Sequence, residues 1–259
     1  MRLISLNMWG GKLYEPLIAF VKKEAATTDL FCFQEVYFSE TPRPDIPWVR
    51  ADLAVQLTKA LPDFSMIGRL AAEGSYVRDE TANKDVRTGE AMFIKKPLSV
   101  TESGGFHTYT EDRESEKEKI AEITGNFQFA KVKADDEAYL IGNVHGIWLP
   151  GSKSDTVKRI EQSSRVDAAL EKFHGKKVLC GDFNLEPTTR SIGILDADLR
   201  DLIKEYKIKT TRNHYYADMK KYSDYIADYM FVSSDVQVVD FKVLPDEVSD
   251  HSLLLLEFL

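Results

Sequence analysis

Short polar patches close the apolar runs of this sequence, and their side chains are of types that handle water, phosphate and metal ions. Gly181-Asp182-Phe183-Asn184 follows the run Val178-Leu179-Cys180. Alternation along a strand puts Asp182 and Asn184 on one face and turns Phe183 into the core. A carboxylate so placed can orient a water, and an amide can hold a phosphoryl oxygen. Gln34-Glu35 closes the run Leu30-Phe31-Cys32-Phe33. A carboxylate at the end of an apolar strand is costly unless it is paired or bound to metal. Mg²⁺ takes one or two protein carboxylates and leaves the rest of its shell to water and phosphate, a pattern Glu35 fits. Asn143-Val144-His145 sends Asn143 and His145 to one face. Ser249-Asp250-His251 precedes the last apolar run, where Asp250 and His251 should point to opposite faces and serve separate jobs. A histidine base needs another acid to fix its tautomer. Asp228, a carboxylate leading the apolar stretch Tyr229–Val232, is the candidate. Asn7 follows Leu3–Leu6, with Trp9 and Gly10-Gly11 behind it, and glycines let backbone approach a ligand closely. Each patch also has a plain structural reading: Asn7 as a turn former, Glu35 as a solvated strand exit, His145 as a structural hydrogen-bonder.

The elements that must position these groups are short strands and amphipathic helices. Besides the runs above, strands are expected at Ala91–Ile94, Phe127–Val132, Tyr139–Val144, Val236–Val243 and Leu253–Phe258. Leu13, Leu17, Phe20 and Val21 recur at helical spacing, as do Leu53, Leu57, Ala60 and Leu61. A longer helix is expected from about Ser154 to Phe173, capped by Ser154 or Asp155, with Val166, Ala169, Leu170 and Phe173 on one stripe. Gly68–Gly89 and the charge run Glu111–Lys119 read as loops, the first placed to overhang a site. No repeat, low-complexity tract or Gly/Ser linker divides residues 1–259, so one domain of helix-covered sheets is expected.

Composition limits the partners. The chain carries a net charge of −8, against the basic face that duplex DNA demands. Tyr215, Tyr216, Tyr222 and Tyr225 could stack single-stranded bases or serve as ordinary core and surface residues. Cys32 and Cys180 sit in apolar runs and read as small buried hydrophobes. No apolar run approaches the roughly 18–20 residues of a bilayer span, and no leader pattern opens the chain. No membrane insertion, a monomer and a cytoplasmic location are the expectations. His107, His174 and His214 read as structural or surface residues. Neither the Gly-x-Ser-x-Gly elbow of serine hydrolases nor a His-x-x-x-His zinc pair occurs.

Taken in order, the patches resemble the endonuclease/exonuclease/phosphatase superfamily, the deoxyribonuclease I-like group. Asn7 matches its first-strand Asn, and Gln34-Glu35-Val36 its metal-binding motif. Gly89-Glu90-Ala91-Met92 through Pro97-Leu98 is similar to its third-strand hairpin. Asn143-Val144-His145, Gly181-Asp182-Phe183-Asn184, Asp228-Tyr229 and Ser249-Asp250-His251 match the remaining signatures. The resemblance implies a four-layer α/β sandwich, two packed mixed β-sheets flanked by helices. It implies a metal-dependent phosphoester hydrolase, a phosphodiesterase or nuclease, using Mg²⁺ with Mn²⁺ as substitute. A phosphatase or phospholipase C-type hydrolase of a small or lipid phosphoester is the alternative, and an inactive binding protein on the same fold is the second. Glu35 would hold the metal with Asn7 and Asp250 close by. Asp182 would activate water, Asn184 and His145 would bind the scissile phosphate with Asn143 beside them, and His251 steadied by Asp228 would act as acid/base. The family pattern often has Arg or Lys two residues before the Asp of the Asp-Tyr pair; here that residue is Ile226. Lys220-Lys221 and Arg212 are the nearest cations in sequence.

Overall fold

The computed structural model describes every residue except 74–75, 78–79, 82–85, 109–124, 135–136, 150–151 and 217–224. In chain order the elements are β1 (Arg2–Asn7), a 3-10 turn (Trp9–Gly11), α1 (Tyr14–Glu24), β2 (Leu30–Tyr37), α2 (Leu53–Ala60) and β3 (Phe64–Glu73). A small hairpin, β4 (Tyr76–Val77) and β5 (Glu80–Thr81), leads to β6 (Arg87–Lys95), β7 (Ser99–His107), β8 (Asn126–Ala134) and β9 (Glu137–His145). Then come α3 (Val157–Glu171), β10 (Lys176–Asp182), α4 (Arg190–Asp196), β11 (Arg200–Asp201), α5 (Leu202–Glu205), β12 (Asp228–Val232), β13 (Val238–Val243) and β14 (Leu254–Phe258).

Apart from β4 and β5, the strands form two six-stranded mixed sheets, ordered β13-β14-β1-β2-β6-β3 and β11-β12-β10-β9-β8-β7. Each sheet has one parallel pair at its centre, β1 with β2 and β9 with β10, flanked by antiparallel neighbours. The sheets pack face to face, β1 against β10 and β2 against β9. Alternation divides the apolar residues between layers. Leu3, Leu30, Cys32 and Met92 face the second sheet, whose far side is covered by Val166 and Leu170 of α3 and by Ile192 and Leu195 of α4. Ile4, Leu6, Phe31, Phe33 and Phe93 face outward, under Leu17, Phe20 and Val21 of α1 and Leu53 and Leu57 of α2. This is the four-layer α/β sandwich, with each helix burying one apolar stripe on a sheet.

The inward face changes chemistry along the strands. Leu3, Ser5, Asn7 run along β1; Leu30, Cys32, Gln34 along β2; Ile141, Asn143, His145 along β9; Val178, Cys180, Asp182 along β10. Because both central pairs are parallel, all four strands end polar at the same edge of the sandwich. Just below that edge the sheets are tied by amides. Gln34 Nε2 donates to Asn143 Oδ1 at 2.6 Å and Asn143 Nδ2 donates to Phe33 O at 3.1 Å, both across the sheets, and the same Nδ2 donates to Gln128 Oε1 of its own sheet at 3.3 Å. Cys32 and Cys180 are buried and unbridged beneath this layer, as the apolar runs imply.

Several local expectations change. Gly68–Glu73 belongs to β3 and Arg87–Gly89 to β6, so much of the expected loop is sheet. As an edge strand, β3 pairs among the described residues only with β6 and leaves Met66 39 % and Leu70 43 % exposed, which hides its alternation. The edge strand β7, with Val100 37 % exposed, shows no clear alternation either. The charge run Glu111–Lys119 lies outside the described residues. The long helix begins at Val157 with Thr156 as its cap, accepting from Arg159 N at 3.2 Å. Asp155 instead serves α4, accepting from Arg190 N at 2.7 Å and Ser191 N at 3.0 Å.

Gly181 has φ +135°, and a Cβ there would lie 2.0 Å from Val144 O. Gly181→Ala is expected to destabilise the fold by about 2–4 kcal/mol through strain and overpacking. Urea unfolding monitored by circular dichroism checks this; an unchanged midpoint contradicts the close approach of β9 and β10.

Candidate active site

The polar edge gathers side chains from strands far apart in sequence. Asp182, at the end of β10, is 1 % exposed. Its Oδ2 accepts from Asn7 Nδ2 at 3.1 Å, across the two sheets, and its Oδ1 accepts from Asn184 N at 2.9 Å. Arg212 Nη2 lies 3.7 Å and His251 Nε2 3.5 Å from the same Oδ2. Burial alone would raise the Asp182 pKa. The charges of His251, Lys153, Arg212 and His145 outweigh it and hold the carboxyl well below the usual carboxylate range.

Two histidine–carboxylate pairs flank Asp182. His251 Nδ1 meets both oxygens of Asp228, at 2.8 and 3.0 Å. A carboxylate accepts, so Nδ1 carries the proton and Nε2 faces Asp182. Thr211 Oγ1 donates to Asp228 Oδ2 at 2.8 Å and fixes the carboxylate in turn. On the other flank His145 Nδ1 lies 3.7 Å from Glu90 Oε1, and His145 Nε2 lies 3.8 Å from Glu35 Oε1. Burial would lower the His145 pKa, but Glu90, Glu35 and Asp182 outweigh it and raise it above the ordinary histidine value. Glu90 is fully buried on β6, and burial raises its own pKa against the pull of His145 and Arg69. Neither Glu90 oxygen has a hydrogen bond among the described residues.

Glu35 owes its position to a bulge. The β2–β6 register shifts between Phe33 and Val36, and Glu35 adopts φ +55°. A non-glycine residue in that region is uncommon and marks a constrained position. Glu35 Oε1 accepts from Asn7 Nδ2 at 3.0 Å. Its side chain is 35 % exposed, while those of Glu90, Asp182, Asp228 and Asp250 are 9 % or less. Glu35 is therefore the carboxylate with a face toward solvent.

Asp250 and His251 do not take opposite faces as expected. The final strand starts only at Leu254, so alternation does not govern them. Both turn into the site, with Asp250 Oδ1 3.9 Å from His251 Nε2. The segment is held against Arg212, which forms a β-bridge with His251 and donates to Asp250 Oδ2 at 3.2 Å. The chain of contacts from Asp250 to Glu35 thus runs through Arg212, Asp182 and Asn7. The Arg212 guanidinium also lies 4.5 Å from the Tyr216 ring. Tyr216 and Tyr225 pack on each other at 4.9 Å with their hydroxyls 3.0 Å apart, Tyr215 is exposed, and Tyr222 and Lys220-Lys221 lie outside the described residues.

Asn143 lies below the site, completely buried, with both ends of its amide engaged in the inter-sheet ties. The structure thus gives it a strut's position instead of the expected substrate contact. Two further residues were not singled out in sequence. Glu90 lay inside a recognised motif but sits mid-strand among apolar neighbours. Lys153 lies in a loop, and only the fold brings its Nζ onto Asn184 Oδ1. Lys153 is buried, and that burial lowers its pKa to about 8 despite the attraction of Asp182.

The donor set suits a hard cation. Asp182, Asp228 and His251 can bring one ligand atom each within 4.8 Å of one another. Among the described residues, no such group contains Glu35 or Asp250. Glu35, Glu90, Asp182, Asp228 and Asp250 bring more carboxylates to the polar edge than Lys153 and Arg212 bring cations, a donor set that fits a divalent ion.

The family follows from the sequence as a whole. Residues 4–251 match the model of the Endonuclease/Exonuclease/phosphatase family. The chain belongs to that family. Solved structures agree in fold over the full length. An endonuclease/exonuclease/phosphatase of Bacteroides vulgatus matches at 17 % identity and TM-score 0.70, covering all of this chain and 98 % of that one. A mannosyl-6-phosphatase of Bacteroides thetaiotaomicron matches at 17 % and 0.71, covering 100 % and 99 %. TDP2 of D. rerio, complexed with a single-strand DNA product, matches at 16 % and 0.70, covering 100 % and 98 %. At such identities the likeness shows the fold alone. No curated protein sequence matches this chain.

No helix among the described residues is long and apolar enough to cross a membrane.

The Glu90–His145 pair is directly testable. Glu90→Gln removes a charge that raises the His145 pKa, so the NMR titration midpoint of His145 should fall. With it goes the stability that charged His145 lends, which is complete below its ordinary value of 6.5 and lost as pH rises through the raised folded value. An unmoved midpoint contradicts the pairing.

Proposed function

We propose that this protein is a divalent-metal-dependent phosphoester hydrolase, Mg²⁺ being the natural ion and Mn²⁺ a substitute, with phosphodiesters as first substrates. The observation that carries the reading is the pairing of His251 Nδ1 with Asp228 while Nε2 faces Asp182 at 3.5 Å. That geometry holds an imidazole in one tautomer beside a carboxylate that stays ionised.

Glu35, with Asn7 bonded to it and Asp250 joined to it through Arg212, Asp182 and Asn7, would hold the metal. When bound, the ion supplies charge stabilisation at the phosphoryl and leaving oxygens. The protein's own groups do the rest. Asp182 is held strongly ionised, which makes it a weak base and a good acceptor. It orients the attacking water through Oδ2 and stabilises His251 when that ring is charged. His251 Nε2 takes or returns the proton at the reacting oxygen, with Asp228 keeping Nδ1 protonated. His145, backed by Glu90, presents Nε2 to a phosphoryl oxygen. Phosphoryl transfer needs little covalent chemistry from the protein, so positioning and electrostatics are the expected contributions. The −8 charge disfavours duplex DNA, leaving single strands, small phosphoesters and lipid phosphoesters as the substrate classes.

The test uses Mg²⁺ or Mn²⁺ with bis-(p-nitrophenyl) phosphate, single-stranded DNA, RNA and a choline phospholipid. Turnover of at least one substrate is expected, abolished by chelation. Glu35→Ala and His251→Ala should each lower it about 10²–10⁴-fold. Metal-independent turnover, or turnover untouched by both changes, overturns the assignment. A protein that binds these ligands without cleaving any is the inactive binding protein instead.

A further inference from the structure

Both ends of the Asn184 side-chain amide are engaged within the protein. Its Nδ2 donates to Gly146 O at 3.0 Å, and its Oδ1 accepts from Lys153 Nζ. Turning the amide over would set Nδ2 against the ammonium and Oδ1 against the Gly146 carbonyl, two donors and two acceptors face to face. Both ends therefore fix the same orientation. The backbone N–H of Asn184 is taken as well, by Asp182 Oδ1 at 2.9 Å. Besides its second amide hydrogen, Asn184 offers the site the group it holds.

That group is an ammonium with hydrogens to spare. An ammonium has three donors. Among the described residues Lys153 Nζ meets one hydrogen-bond acceptor, Asn184 Oδ1, although the side chain is nearly completely buried. A buried, under-partnered cation is costly, and a ligand that completes its shell would offset that cost.

The loop carrying Lys153 is built to hold it there. Arg159, the largest fully buried side chain, clamps three of its carbonyls: Nε to Ile147 O at 3.1 Å, Nη2 to Ser152 O at 3.0 Å and Nη1 to Ser154 O at 2.7 Å. Gln162 Oε1 accepts from Ile147 N at 2.8 Å. From the other side Glu186 N donates to Lys153 O at 3.0 Å. A guanidinium is an apt clamp because its planar fork reaches several carbonyls at once.

We propose that Lys153 is a phosphate-binding residue of the site, donating its remaining hydrogens to non-bridging phosphate oxygens. Asn184 is its positioning residue, and Arg159 holds the loop that delivers it. The inference rests on the phosphoester reading, but its test does not require turnover.

Inorganic phosphate is the probe, titrated calorimetrically at constant ionic strength, with Mg²⁺ and with chelator. The proteins are the parent, Lys153→Met, Asn184→Ala and the double variant, each checked for folding by circular dichroism and thermal midpoint. Lys153→Gln is the second variant should the methionine not fold. Lys153→Met should weaken phosphate binding about tenfold or more, the loss of a charge-assisted contact. Asn184→Ala should weaken it less, and should add nothing in the Lys153→Met background. Undiminished binding in Lys153→Met, fully additive losses, or no saturable binding by the parent would each overturn the proposal. Lys153-dependent binding without turnover of any phosphoester sinks the hydrolase reading and leaves this one standing. Turnover with kcat/KM and phosphate affinity indifferent to Lys153 does the reverse.

Discussion

A single ionised carboxylate, Asp182, buried between two sheets, sets the terms for everything around it. Taking such a charge out of water costs several kcal/mol even after the protein relaxes. Here the charge is met by an amide from the other sheet, by Arg212, by His251 and by the field of Lys153 and His145. Those partners are themselves buried, so each needs its own support. Asp228 and Thr211 support His251, Asp250 supports Arg212, and Asn184 supports Lys153. The network closes on itself, and removing one member leaves another charge unmatched.

Topology makes the gathering simple. The parallel pairs at the centres of both sheets bring the ends of β1, β2, β9 and β10 to one edge, so residues as far apart as Asn7 and Asp182 meet. Asp228 arrives because β12 runs antiparallel to β10 with Asp228 opposite Asp182. His251 arrives just before β14, which returns antiparallel to β1. Open α/β sheets generally present ligand sites beyond the carboxyl ends of their strands. In this sandwich two such edges coincide and face each other. Glycine at 181 and the bulge at Glu35 make the last adjustments, one letting the strands approach and the other turning a carboxylate outward.

Much of this was legible because alternation and charge cost leave marks in sequence. An Asp or Glu at the end of an apolar run, as at Glu35, Asp182 and Asp228, is conspicuous, and each sits at the polar edge. The inner elements β1, β2, β9 and β10 were legible for the same reason. Edge strands were not: β3 and β7 bury little of one face, and their polar residues mimic loops. Asn143 and Asn184 were legible as polar strand-end residues, but not in what their amides bond. That depends on partners such as Gln34, Gly146 and Lys153, which only the fold supplies. Asp250 and His251 were assigned by an alternation that applies only once a strand has begun. Lys153 left no local signal, since a lysine in a loop reads as solvated until its burial is seen.

The most direct test of the account is the single-turnover rate of Asp182→Asn on bis-(p-nitrophenyl) phosphate with saturating Mg²⁺, compared with the parent. The substitution keeps the shape and one of the two accepting oxygens while removing the charge around which the site is arranged. A folded protein whose rate is about 10²–10⁴-fold lower is expected. A rate within a few-fold of the parent would contradict it.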